Sequence, residues 1–194
     1  MSTIQPLSTR PSGTREALVE AGLALLAEDG SSGLTLRRAA ARAGVSHAAP
    51  AHHFDGLQGL QTAIATRAFA QFTRTMTEAR DAAGPEPFVR LLGLCEGYLA
   101  FARNRSGLFH LMFVEPAIRR DDPDLMREAK AAYGLLAENC APFAQGDPQT
   151  VEAAVWSLVH GYAMLGLDLP VAAGRPFSQQ PAFPLLLKAV VGRV

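Results

Sequence analysis

The chain has 194 residues, 18 basic against 18 acidic side chains, and 48% apolar residues. That length holds one sizeable domain or a small domain joined to a larger one, and so apolar a composition excludes a disordered chain. Formal neutrality argues against a general nucleic-acid binder, which carries an excess of Lys and Arg.

Every apolar run is broken by charge, Gly or Pro before the roughly 20 residues that a membrane span needs. The first residues, MSTIQPLSTRPSGT, lack the apolar stretch of a secretory leader and read as a flexible arm over 1–11. Cys95 and Cys140 are too few for a disulfide framework and lack metal-ligand spacing. In apolar helical surroundings they read as buried, inert thiols. We therefore expect a cytoplasmic protein with no membrane partner, no metal and no cofactor. Ala and Leu favour helix, and strand-favouring residues are few, so the expected fold is all-α.

The first helix is expected from about Thr14 to Asp29, with Thr14 as N-cap and Leu18, Ala21 and Leu25 as a buried stripe. Gly30 then stops it. Thr35 can cap a short second helix whose Leu36, Ala39, Ala40 and Ala43 share one small-sided face, with Arg38 and Arg42 on another. Gly44 reverses the chain, Val45 is an apolar plug, and Ser46 can cap a third short helix running to His53. Small residues at a helix crossing, a glycine at the reversal and an exposed short helix are what a helix-turn-helix requires. From Gly30 to Phe54 there is no carboxylate, but Arg37, Arg38, Arg42 and three of the five histidines lie there. This neutral protein thus has one locally basic window.

The segment TREALVEAGLALLAEDGSSGLTLRRAAARAGVSHAAPAHHF resembles the N-terminal DNA-binding module of the TetR family. The match is carried by Ala40, Ala43, Gly44, Val45 and Ser46, by the closing pair His53–Phe54, and by the upstream helix that ends in Gly. The resemblance covers about the first third of the chain. It implies a DNA operator as partner, with His47, Ala48 and Ala49 facing base edges. Thr35, Arg37 and His53 would contact phosphate or support the groove face, and Ser46 and His52 are counted with the DNA-contacting set. Arg10 and Arg15, from their place in and beside the flexible arm, are expected to reach the neighbouring minor groove or phosphates. The chain departs from the family at Ala51, where many members have Tyr, and at Leu57, where many have Lys; both usual residues are phosphate anchors. Pro50 falls within the recognition helix, which is tolerated only near its start. Three imidazoles beside the groove predict tighter DNA binding as the buffer goes from mildly alkaline to mildly acidic, since protonation adds charge and a donor. A flat affinity across that range would remove them from the interface.

Further helices are expected at Leu57–Arg80, Glu86–Ala102, Ser106–Glu115, Asp122–Ala141, Pro148–Leu167 and Pro181–Val191, separated by Gly and Pro clusters. GLFHLMFVEP and VWSLVHGYAMLGL resemble the C-terminal domain of a TetR subgroup marked by Trp, His and Gly, here Trp156, His160 and Gly161. The resemblance implies an effector cavity in this bundle and a two-fold four-helix dimer contact. Phe101, Phe109, Met112, Phe113, Trp156 and His160 are the expected lining. Each is otherwise an ordinary core residue, and Trp156 and His160 share a helix face.

Domains are thus expected at 12–58 (helix-turn-helix) and 59–194 (effector binding and dimerisation). The expected function is ligand-responsive transcription regulation, most simply repression relieved by a small apolar or amphipathic effector. The alternative is a helical ligand-binding or interaction protein with weakened DNA binding. No catalytic residues are expected: the sequence has no HExxH, no GxSxG and no phosphate-binding glycine loop.

Overall fold

A computed structural model describes residues 13–30, 33–167 and 182–192, and among these the regular structure is entirely helical. The helices are α1 (Thr14–Asp29), α2 (Leu36–Ala43), α3 (Ala49–His53), α4 (Gly56–Ala83), α5 (Pro87–Asn104), α6 (Ser106–Phe113), α7 (Pro123–Cys140), α8 (Pro148–Met164) and α9 (Phe183–Val191). The protein has the all-α architecture expected of it, a three-helix unit followed by a larger helical bundle. The expected arm, with Arg10, lies outside the described residues.

Helix starts follow their chemistry. Proline occupies the first turn of α3, α5, α7, α8 and α9, where its missing N–H costs nothing. Asp122 accepts from the backbone N–H groups of Asp124 and Leu125, and Asp147 accepts from that of Gln149. Thr35 caps α2 as expected, its hydroxyl accepting from Arg38 N–H at 3.1 Å. Thr14 does not cap α1: it is the first helical residue, behind Gly13, which offers no side chain.

The core is organised on α4, a 28-residue helix that packs against α1, α5, α6 and α7. Leu60, Ile64, Ala68, Phe72 and Met76, four apart, form its buried stripe. On α5, Gly93 and Gly97 bring the two backbones together: a Cβ at Gly97 would sit 2.9 Å from Met76 Cα, and one at Gly93 would sit 2.8 Å from the Ala79 carbonyl oxygen. Because α4 begins in the three-helix unit and runs on into the bundle, it joins them mechanically. The expected boundary at residue 58 falls within its first turn.

Candidate DNA interface and effector cavity

The helix-turn-helix is built by a reversal closed by two backbone hydrogen bonds. Gly44 adopts the left-handed conformation at φ 68°, its N–H donates to Ala41 O, and Val45 N–H donates to Ala40 O. This is a Schellman stop, with a half-buried Val45 as its apolar plug. Ser46 does not cap the third helix. The N-cap position is Ala48, without a side-chain bond, and a turn closed by Ala49 N–H to Ser46 O precedes the helix. Pro50 explains the late start, because it fits only in a first turn, and there it is buried. The recognition helix is therefore Ala49–His53, shorter than Ser46–His53.

Ser46, His47, Ala48, Ala51, His52 and His53 are all exposed, whereas Ala49 is half-buried. The locally basic window needs correcting. Arg38 pairs with Asp29 at 2.5 Å and Arg42 forks onto both oxygens of Glu28 at 2.6 Å, both carboxylates being on α1 just outside the window. Exposed Arg37 has no carboxylate partner among the described residues. Arg15 stacks its guanidinium over the ring of buried Phe54 at 5.3 Å, which ties the start of α1 to the end of the recognition helix.

In the larger bundle a cavity of about 230 Å³ opens between five helices. Phe69, Phe72 and Met76 come from α4, Leu94 and Tyr98 from α5, and Met112 and Phe113 from α6. The wall is completed by Ala129, Ala132, Tyr133 and Leu136 of α7, Trp156 of α8, and Arg120 from the segment after α6. Of the six residues expected from sequence, Met112, Phe113 and Trp156 are on this wall. Phe101, Phe109 and His160 stand behind it: Phe101 packs edge-on to Phe72, and Phe109 packs against Tyr98 and His160. The α4 residues were missed although Phe69, Phe72 and Met76 have helical spacing, because the apolar stripe of α4 reads simply as core. Arg120 sits outside any helix and has no periodic signal.

Two polar pairs brace the wall. The Tyr98 hydroxyl lies 2.7 Å from His160 Nδ1. Burial pushes the Tyr98 phenol up, opposed by the Trp156 indole as a hydrogen-bond partner, and burial pulls the His160 imidazole down. The Tyr133 hydroxyl donates to Oε2 of buried Glu152 at 2.5 Å, and that bond raises the Tyr133 phenol. Cys95 and Cys140 are buried, and burial pushes the Cys140 thiol up to about 12, so neither is poised as a thiolate.

The cavity and the DNA-binding unit are in physical contact. Through Gly107, α6 lies directly on the last turn of α1, where a Cβ would fall 2.3 Å from the Leu26 carbonyl oxygen. Arg119, next to cavity residue Arg120, donates its backbone N–H to Thr62 Oγ1 at 3.0 Å and its Nε–H to Gln58, and it pairs with Asp55. Asp55 and Gln58 flank the start of α4, immediately after the recognition helix. Elsewhere the end of α8, the residue after it and α9 expose large apolar side chains: Met164 at 50%, Leu165 at 64% and Leu185 at 68%. A Cβ at Gly161 would have no atom of the described residues within 4 Å. None of the described helices is long and apolar enough to cross a membrane, and no cluster of three or more potential metal ligands occurs among the described residues.

Comparison with known proteins gives the same architecture. A protein of unknown function from Rhodococcus sp. RHA1 is 25% identical and superposes with a TM-score of 0.74, over 98% of this chain and 96% of that one. A transcriptional regulator from Rhodococcus sp. Rha1 is 20% identical with a TM-score of 0.67, over 94% and 96% of the two chains. The multidrug binding protein EbrR, solved with imidazole, is 21% identical with a TM-score of 0.60, over 93% and 94%. No curated protein matches the chain. The family described as tetracyclin repressor-like, C-terminal domain, matches residues 91–190, more than half of the sequence. The chain therefore belongs to the TetR family.

Proposed function

We propose that this protein is a dimeric, ligand-responsive transcriptional regulator, a repressor that leaves its operator when a small apolar or amphipathic effector fills the bundle cavity. The observation that carries this reading is the contact between the two sites. The cavity wall includes α6 and Arg120, while α6 rests on α1 and Arg119 grips the residues that follow the recognition helix. A ligand that prefers a state with α6 and this segment displaced lowers operator affinity by its differential affinity for the two states. Arg15, Thr35, Arg37, Ser46, His47, Ala48, Ala49, His52 and His53 are the proposed DNA-contacting set. The proposed dimer contact is on α8 and α9, a reading supported by the exposed large apolar side chains Met164, Leu165 and Leu185. The Trp156, His160 and Gly161 subgroup assignment belongs to the same proposal.

The neutralised Arg38 and Arg42, with Ala51 and Leu57, favour the alternative of a helical ligand-binding protein with weakened DNA binding. The two separate on one experiment. The regulator reading expects a sequence-selective mobility shift with DNA from just upstream of the protein's own gene. No selective shift even at low salt would leave the alternative. Asp55→Asn tests the link between the sites. An exposed ion pair contributes only about 0–1 kcal/mol, so the urea midpoint should stay near that of the parent while operator affinity falls severalfold. Unchanged affinity would remove the Arg119–Asp55 contact from the mechanism.

A further inference from the structure

We propose that the cavity is selective for an anionic ligand, a small aryl or aryl-alkyl carboxylate whose head is held by Arg120. This rests on the effector reading above and adds the ligand's charge. Of the described residues of the wall, all but Arg120 are aromatic or aliphatic, and Arg120 alone is charged. Among the described residues the Arg120 guanidinium makes one long hydrogen bond, 3.4 Å to the Glu115 carbonyl oxygen, and no carboxylate pairs with it. The neighbouring arginines are matched: Arg119 with Asp55, and Arg127 with Asp124 and Glu128. Arg120 has no such partner among the described residues.

A guanidinium presents donors in a planar fork that fits a carboxylate bidentately. The opposite choice, a cation, would meet like charge at Arg120, with no carboxylate among the described wall residues to offset it. Glu152 is not part of the wall, and its Oε2 is taken by Tyr133, which does line it. Size limits the rest of the ligand. An apolar cavity of roughly 150 Å³ holds benzene, so about 230 Å³ accommodates one ring and a short chain that reaches Arg120. Phe72, Tyr98 and Phe113 present tilted ring edges and faces, the geometry that a further ring prefers.

Trp156 is the single tryptophan of the sequence and stands on the wall, so its emission reports this site alone. The test is titration of the full chain with three compounds of one shape: hydrocinnamate, its amide, and phenylpropylamine. Hydrocinnamate should bind about tenfold tighter than the amide, from a charge-assisted bidentate contact, and the amine should bind weakest. Arg120→Gln should erase that margin while leaving amide binding unchanged, and Arg120→Lys should keep part of it. Equal binding of the three compounds, or a margin that survives Arg120→Gln, overturns the charge assignment and leaves the effector cavity standing. Silence of Trp156 toward all three overturns the cavity reading and this inference with it. Arg120 is exposed, so an unchanged urea midpoint in both variants is expected and shows that affinity, not folding, was altered.

Discussion

Gly107→Ala is expected to destabilise the protein by about 1–3 kcal/mol, although it adds only one methyl group. In most helices the same change helps, because glycine loses more backbone freedom on folding, by about 0.5–1 kcal/mol relative to alanine. Contact decides the sign here. The added Cβ would lie 2.3 Å from the Leu26 carbonyl oxygen and 3.2 Å from its carbon, both backbone atoms that no rotamer change can move. The helices α6 and α1 must separate by roughly an ångström, opening the core beside Leu26 and Leu108, both fully buried. Gly134→Ala in the middle of α7 is the control. Nothing lies within 4 Å of its added Cβ, so it should stabilise by about 0.5–1 kcal/mol. Urea midpoints at constant slope measure both. If the two variants shift the same way, the close approach of α6 to α1 is not a constraint on the fold. The functional consequence follows from where α6 lies. Met112 and Phe113 at its far end line the cavity, so a displaced α6 should also weaken the response of DNA binding to any effector.

The features legible in the sequence are those written in local chemistry. Gly30 and Gly44 at positive φ, the Thr35 cap and the stripe of Leu18, Ala21 and Leu25 each follow from residue types and spacing within a few positions. The recognition helix is shorter than the expected Ser46–His53, because a serine after a turn is a good cap only in isolation. Pro50 then shifts the first turn onto Ala49, so Ser46 offers its backbone carbonyl instead. What could not be read is what depends on pairing across the fold. The window from Gly30 to Phe54 contains no acid, and only folding brings Glu28 and Asp29 onto Arg42 and Arg38. The wall residues divide in the same way. Helical spacing identifies Phe109 and His160 as inward-facing, but which inward-facing residues meet empty space depends on how five helices fail to fill a volume. Arg119 and Arg120 are adjacent in sequence yet face the DNA-binding unit and the cavity respectively, a division set by the path of the segment between α6 and α7.

Removing a single oxygen from the centre of the bundle should also have a measurable effect: Tyr98→Phe is expected to cost about 1–2 kcal/mol. The ring itself is retained, together with its edge contacts to Phe72 and Phe109 at 4.8 and 5.7 Å, so little packing is lost. What is lost is the partner of His160 Nδ1, 2.7 Å away. Because His160 is only half-buried, water can replace part of the bond, which keeps the cost at the lower end. The same imidazole sets a dependence on pH whose sign is determined. Burial holds the His160 pKa below its ordinary 6.5, so the folded state binds the proton less readily than the unfolded chain. The stability that depends on neutral His160 is fully present above 6.5 and declines as pH falls below it toward the depressed folded value. His160→Gln, which keeps a hydrogen-bonding group but cannot titrate, should flatten this decline between about pH 7 and pH 5. Urea midpoints across that range measure the slope. A decline as steep in His160→Gln as in the parent would mean that the folded bundle admits protonated His160 freely, and that the Tyr98 hydroxyl turns to accept from it.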